Sequence, residues 1–131
     1  MANTNVPMFV VTPKNASARL TATGNTNVDG STGTYTTIYT ATNIARVERI
    51  VICNNANVAD KVSLWLGGKL IDNILLPATG ALSATVGAIK VSIDCSQPGN
   101  TIIMNASDVL KASLYTGTST NIDVTVFASE F

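Results

Sequence analysis

Histidine is absent from this chain of 131 residues, and only 12% of the residues are charged, about half the usual share. Imidazole is the commonest general base in enzymes. Its absence excludes Ser-His and Cys-His catalytic pairs and metal sites with histidine ligands. The formal net charge is zero, so the composition shows no electrostatic footprint of binding to nucleic acid or an anionic membrane. A neutral surface with so little charge favours assembly with partner proteins over a dispersed monomer.

Cysteines and long apolar runs are scarce too. Cys53 and Cys95 are the two cysteines, and without histidines they do not complete a tetrahedral zinc site. Residues 1–5 lack a basic stretch followed by an apolar core, so we expect no signal peptide. We therefore favour two buried free thiols, and a Cys53–Cys95 disulfide is the alternative if their strands adjoin. No apolar run reaches the length of a membrane span. The eight carboxylates are scattered, and we expect no catalytic residues, no cofactor and no metal.

What the sequence does contain is β-strand signal, strongest over Thr34–Asn54. Tyr35–Ala41 is rich in Thr, Tyr and Ile, which suit a pleated, half-buried surface. After a corner at Thr42-Asn43, a second strand ends in the unbroken apolar run Ile50–Cys53. Such a short, β-branched run predicts a strand buried on both faces.

Further strand signals recur about every ten residues, with glycine-rich turns between them. Gly67-Gly68 predicts a two-residue hairpin, and Gln97–Asn100 predicts another turn. A short helical turn is an alternative only within Pro77–Gly87. This spacing predicts an all-β, two-sheet sandwich, jelly-roll-like, in one domain. The further strands are predicted at Ala16–Ala22, Lys61–Leu66, Lys69–Leu76, Ala81–Val86, Ile89–Cys95, Thr101–Ala106, Leu110–Thr116 and Ile122–Ser129.

The first 33 residues differ from the rest of the chain. Val6–Val11 is an apolar segment, and residues 23–33 have the composition of a loop. We therefore divide the chain into an extended N-terminal arm with a flexible loop, 1–33, and a β-sandwich domain, 34–131. The arm either adds a strand to a neighbouring subunit or forms the first strand of its own sheet. In the former case its contact residues are Val6, Met8, Phe9 and Val10.

Trp65 is the principal candidate for a binding residue. The alternation of Lys61–Leu66 places Trp65 beside Lys61 and Ser63, on the face opposite Leu64. An outward-facing Trp65, with Lys61, would be an interface anchor, so that Trp65→Ala would weaken assembly and leave the monomer folded. Alternatively, its own chain covers it, or it forms a sugar-stacking platform with one of the tyrosines Tyr35, Tyr39 and Tyr115.

Two partial motifs each lack a required residue. Gly67-Gly68-Lys69 is similar to the end of a phosphate-binding loop, but Leu70 stands where that motif requires Ser or Thr. Asn25–Gly30 is similar to the opening of a calcium loop, but Thr36 stands where the closing glutamate belongs. Neither segment predicts a ligand site.

Four segments carry a resemblance to a known group of proteins: Tyr35-Thr-Thr-Ile-Tyr-Thr-Ala41, Arg49-Ile-Val-Ile-Cys-Asn54, Val62-Ser-Leu-Trp-Leu66 and Ile122-Asp-Val-Thr-Val-Phe-Ala-Ser-Glu130. With these, about Thr34–Phe131 resembles small virion structural proteins of tailed bacteriophages. The sequence departs from their pattern at Ser107–Lys111, where the usual Gly-Asp is missing. The resemblance implies a sandwich or jelly-roll module that decorates or cements the capsid, or sits on the tail, without catalytic residues.

The resulting expectation is a non-enzymatic capsid decoration or cement protein that binds between subunits of the major capsid protein. It would form a homo-oligomer, a dimer or trimer, and bind neither nucleic acid nor membrane. It would be made in the bacterial host cytoplasm and lie on the capsid surface of the virion. The alternative is a tail or fibre module that binds a host surface glycan.

Overall fold

Nine β-strands and no helix occur in the residues that the computed structural model describes, which are 11–20, 35–55, 58–78, 83–115 and 122–131. The predicted all-β class is therefore confirmed. No helix in these ranges is long and apolar enough to cross a membrane. The strands are β1 Thr12–Leu20, β2 Thr36–Thr40, β3 Ala45–Asn54, β4 Asp60–Leu66, β5 Lys69–Leu76, β6 Ile89–Asp94, β7 Ile102–Met104, β8 Val109–Leu114 and β9 Ile122–Glu130.

The strands form two antiparallel sheets that pack face to face. Sheet A has the order β1-β9-β3-β6, with β7 also paired to β3, and sheet B has the order β2-β8-β4-β5. Alternate residues of each strand point inward, so both sheets contribute to one core. Its fully buried side chains include Val47, Ile50 and Ile52 of β3, Val124 and Val126 of β9, Val62 and Leu64 of β4, and Leu110 of β8. The two-sheet sandwich is confirmed.

Strand β3 lies inside sheet A but is buried on one face alone. Ile50 and Ile52 are fully buried, whereas Val51 and Cys53 are half-buried. The predicted burial on both faces is therefore wrong, because a sandwich has only two layers and the outer face of a central strand meets solvent. Cys53 and Cys95 are both free thiols, as favoured from the sequence, but only Cys95 is buried.

Strand β1 pairs with β9 of the same chain, from Thr12 opposite Glu130 to Leu20 opposite Ile122. Its alternation is the predicted one, with Leu20 buried and Arg19 exposed. The earlier part of the N-terminal arm, with Val6, Met8, Phe9 and Val10, lies outside the described residues, as do the loop at 23–33 and the calcium-loop-like segment. Strand addition to a neighbouring subunit and the division at residue 33 stay predictions.

The region before β6 differs from its prediction. Residues 83–88, the described part of this region, contain no strand. The Ser83 N–H donates to the Val86 carbonyl oxygen at 3.1 Å and closes a turn. The predicted strand at Ala81–Val86 is therefore wrong over these residues. The turn at Gln97–Asn100 is confirmed by an Asn100 N–H bond to the Gln97 carbonyl oxygen at 3.1 Å.

The β4–β5 hairpin turns at Gly67 and Gly68, as predicted. Their φ angles are +57° and +74°, the left-handed pair typical of a turn that matches the twist of its strands. A side chain at either position would be strained, because a Cβ then lies too close to the following carbonyl oxygen.

We expect Gly68→Ala to lower the free energy of unfolding by about 1 kcal/mol, which is the left-handed cost less the entropy that the substitution removes from the unfolded chain. Urea denaturation followed by tryptophan fluorescence measures the change. Gly87→Ala is the matched control, since Gly87 has no left-handed φ and nothing within 4 Å of an added Cβ. Equal midpoints for the two variants would contradict the prediction.

Candidate binding surfaces

Trp65 lies on the outer face of sheet B, as predicted, but it is not exposed. Its side chain is 2% exposed, and its indole N–H donates to the Ser113 hydroxyl at 2.9 Å. The ring of Tyr35 meets it edge-on, with 5.5 Å between the centroids. The prediction of an exposed Trp65 is therefore wrong, and the alternative that its own chain covers it is confirmed. The residue offers neither a contact surface nor a stacking platform in this structure.

A mostly apolar groove lies nearby, where β4 begins and β5 and β8 end. We call it the Leu75 groove, and its volume is about 480 Å³. Leu75 is 75% exposed and Tyr115 is 40% exposed, so two large apolar side chains meet solvent on one surface. The groove is lined by Ala59, Asp60, Lys61, Leu75, Leu76, Pro77 and Tyr115.

Strand register builds the groove. Lys61 is paired with Leu75 across β4 and β5, and the Tyr115 N–H donates to the Lys61 carbonyl oxygen at 2.9 Å. The three side chains therefore form a row across three strand ends. The Lys61 ammonium lies 4.2 Å from the centre of the Tyr115 ring, within the range of a cation–π contact. The predicted site residue Lys61 thus joins Tyr115, while Trp65 lies apart and buried.

Leu75 and Pro77 were missed as binding residues in the sequence, although a signal was present. In Ile74-Leu75-Leu76 three apolar residues follow one another at the end of strand β5. Because alternate side chains point to opposite faces, one of these apolar residues must face outward. Ile74 and Leu76 are buried, which leaves Leu75 to the surface.

A second, polar cleft lies on the outer face of sheet A. We call it the Phe127 cleft; its volume is about 360 Å³, and Glu48, Arg49, Asp94, Ser96 and Phe127 line it. Arg49 of β3 is paired with Phe127 of β9 on one side and with Asp94 of β6 on the other. Phe127 is 38% exposed, so an aromatic ring meets solvent beside these polar groups.

The charged groups of the Phe127 cleft differ in how well they are paired. The Asp94 carboxylate accepts bonds from the Ser96 hydroxyl at 2.5 Å and the Ser96 N–H at 3.0 Å. These bonds to the charged form hold the pKa of Asp94 below its usual range. The charge of Arg49 also lowers the pKa of Asp94, but no described residue accepts a hydrogen bond from the Arg49 guanidinium or lies in a short ion pair with it.

The described residues contain no cluster suited to a metal ion. Among the described ranges, no three His, Cys, Asp or Glu side chains are grouped so as to hold a metal ion. The one buried glutamate, Glu130, accepts bonds from the Tyr39 hydroxyl and the Thr42 N–H. The side chains that line the Leu75 groove and the Phe127 cleft can bind another molecule through apolar, aromatic and hydrogen-bonding contacts.

Comparison with known proteins adds evidence on the fold alone. No family model and no curated protein matches the sequence. Among solved structures, the CBM35 from Cellvibrio japonicus Abf62, a carbohydrate-binding module, matches 89% of this chain and 92% of its own, at 17% identity and a TM-score of 0.50. The chain therefore shares the jelly-roll β-sandwich fold of that module.

Proposed function

We propose that the chain is a non-enzymatic virion structural protein, a capsid decoration or cement protein bound between subunits of the major capsid protein. The observation that carries the proposal is the Leu75 groove, with Leu75 three-quarters exposed beside Tyr115 and Pro77. Exposed apolar surface of this kind is typical of protein interfaces. The resemblance of residues 34–131 to phage virion proteins supports the choice of partner, the capsid location, and a dimer or trimer.

The chemistry of the groove suits a protein partner. Burial of a fully exposed leucine contributes about 1.5–3 kcal/mol, and tyrosine is enriched at interface centres. Of its two charged lining residues, Asp60 is already buried and Lys61 is already stacked on Tyr115. An interface here would therefore lose little free energy to the desolvation of charges, and its affinity would depend weakly on salt.

We expect Leu75→Lys to weaken binding to capsids that lack this protein by at least about tenfold, because a charge would enter the apolar contact. Thermal stability would change little, since the side chain is largely exposed in the free protein. Co-sedimentation with capsids at low and high salt measures the affinity. Ile44→Lys is the control, as Ile44 is 55% exposed and lies outside the groove. Equal binding by both variants would contradict the proposal.

The second candidate function is a tail or fibre module that binds a host surface glycan. Two observations favour it: the fold is shared with a protein named as a carbohydrate-binding module, and Phe127 is exposed on a polar sheet face. The platform predicted from Trp65 is not available for this function because that residue is buried. Retention of the protein on an immobilised glycan panel, in the absence of capsids, is the test that separates it from the first function.

A further inference from the structure

We infer that the Phe127 cleft is a saccharide-binding site that takes an uncharged pyranose unit. This inference rests on the second candidate function and gives it a place on the molecule. The cleft lies on the outer face of sheet A, whereas the Leu75 groove belongs to sheet B. The two surfaces are thus available to two different ligands.

The shape of the cleft follows from the sheet. Phe127, Arg49 and Asp94 occupy matching positions on the neighbouring strands β9, β3 and β6. Neighbouring strands lie about 4.8 Å apart, so this row extends about 10 Å across the sheet, the dimension of one or two sugar rings. A register shift between Val47 and Arg49 marks a bulge in this part of β3, and bulges commonly redirect side chains at binding sites.

The Phe127 cleft offers three different contacts to a pyranose. The exposed Phe127 ring is an apolar platform for the carbon–hydrogen face of the sugar. The Arg49 guanidinium has five N–H donors in a planar fork, and no described residue uses them, so they can reach neighbouring hydroxyls. Glu48 is 3.8 Å from the Arg46 Nε, too far for a hydrogen bond, and its carboxylate oxygens can accept from hydroxyls.

The charge around the cleft indicates an uncharged ligand. Arg46 and Arg49 together balance Glu48 and Asp94, so the four groups sum to zero. An anionic sugar would meet the Glu48 carboxylate beside Arg49 and gain little net attraction. A neutral sugar can use the donors and acceptors together and loses no charge hydration on binding.

The test uses the intact chain and a panel of neutral methyl hexopyranosides together with the corresponding methyl uronides. Two-dimensional NMR titration identifies the sugars that bind and the amides that shift. We expect neutral pyranosides to bind and to shift amides around Phe127 and Arg49. Phe127→Ala and Arg49→Ala should each weaken the affinity by about tenfold or more, while Ile103→Ala, an exposed apolar residue outside the cleft, should bind normally.

Phe127→Leu keeps an apolar side chain and removes the ring, so it separates stacking from simple loss of stability, and it should bind as poorly as Phe127→Ala. If no sugar binds the unaltered protein, both the glycan function and this site are refuted. If a sugar binds and the Phe127 and Arg49 variants retain it, the site is refuted while the glycan function stands. Binding of uronides alone would refute the uncharged ligand.

Discussion

Replacing Trp65 with alanine is expected to lower the free energy of unfolding by about 3–5 kcal/mol, the usual cost of truncating a buried tryptophan. The side chain is 2% exposed, and its removal would leave a cavity beside Tyr35 and an unused hydroxyl on Ser113. This outcome is the reverse of the folded but weakly assembling monomer that sequence alone predicts. The midpoint of urea unfolding, followed by far-UV circular dichroism, measures the loss.

Two further variants divide the expected loss between packing and hydrogen bonding. Trp65→Phe keeps a ring for Tyr35 to contact and should cost less than Trp65→Ala. Ser113→Ala removes the acceptor of the buried indole N–H, which costs about 1–3 kcal/mol when the donor finds no other partner. A Trp65→Ala protein with an unchanged unfolding midpoint but impaired assembly would contradict the burial and restore the interface role.

Alternation along the sequence predicted most of the strands and the inward faces of those that alternate clearly. In β9, Ile122, Val124 and Val126 alternate with polar residues and are fully buried, because a strand with one apolar side has one stable orientation in a sandwich. Two adjacent glycines likewise located the β4–β5 turn. These signals are local, so a single sequence contains them.

Alternation does not show what covers the outer face of a sheet. It correctly placed Trp65 opposite Leu64, yet Trp65 is buried, and so are Ser63 and Ser113 on that same face. Exposure of an outward-pointing residue depends on neighbours from other parts of the chain. Tyr35 is such a neighbour, and no periodicity in Lys61–Leu66 reports its position.

The two candidate binding surfaces could not be predicted from the sequence for a similar reason. The Leu75 groove combines the start of β4 with the ends of β5 and β8, and the Phe127 cleft combines β3, β6 and β9. Each depends on strand pairing and register between segments distant in sequence. Leu75 alone could have been found, because it stands between two other apolar residues of its strand and the three cannot all face the same side.

One buried polar contact connects the two sheets. The Tyr39 hydroxyl of β2 donates to the Glu130 Oε1 of β9 at 2.5 Å, and the Thr42 N–H donates to the same oxygen at 2.9 Å. Both side chains are buried. The two bonds hold the pKa of Glu130 below its ordinary value of 4.5, while burial and then the bond to Glu130 raise the pKa of Tyr39.

Tyr39→Phe should therefore destabilise the protein at neutral pH by about 1.5–3 kcal/mol, the range for a hydrogen bond to a charged group. A carboxyl whose pKa is lowered by folding contributes stability above its unfolded pKa and loses it as the pH falls through the folded pKa. The difference in the free energy of unfolding between wild type and Tyr39→Phe should thus be largest near pH 7 and should shrink below about pH 4.5. Urea unfolding across this pH range measures the difference.

Tyr115→Phe is the control, because Tyr115 is partly exposed and the change in its free energy of unfolding should stay within about 0.5 kcal/mol at every pH. A Tyr39→Phe deficit that does not vary with pH would show that Glu130 is not the group that the hydroxyl stabilises.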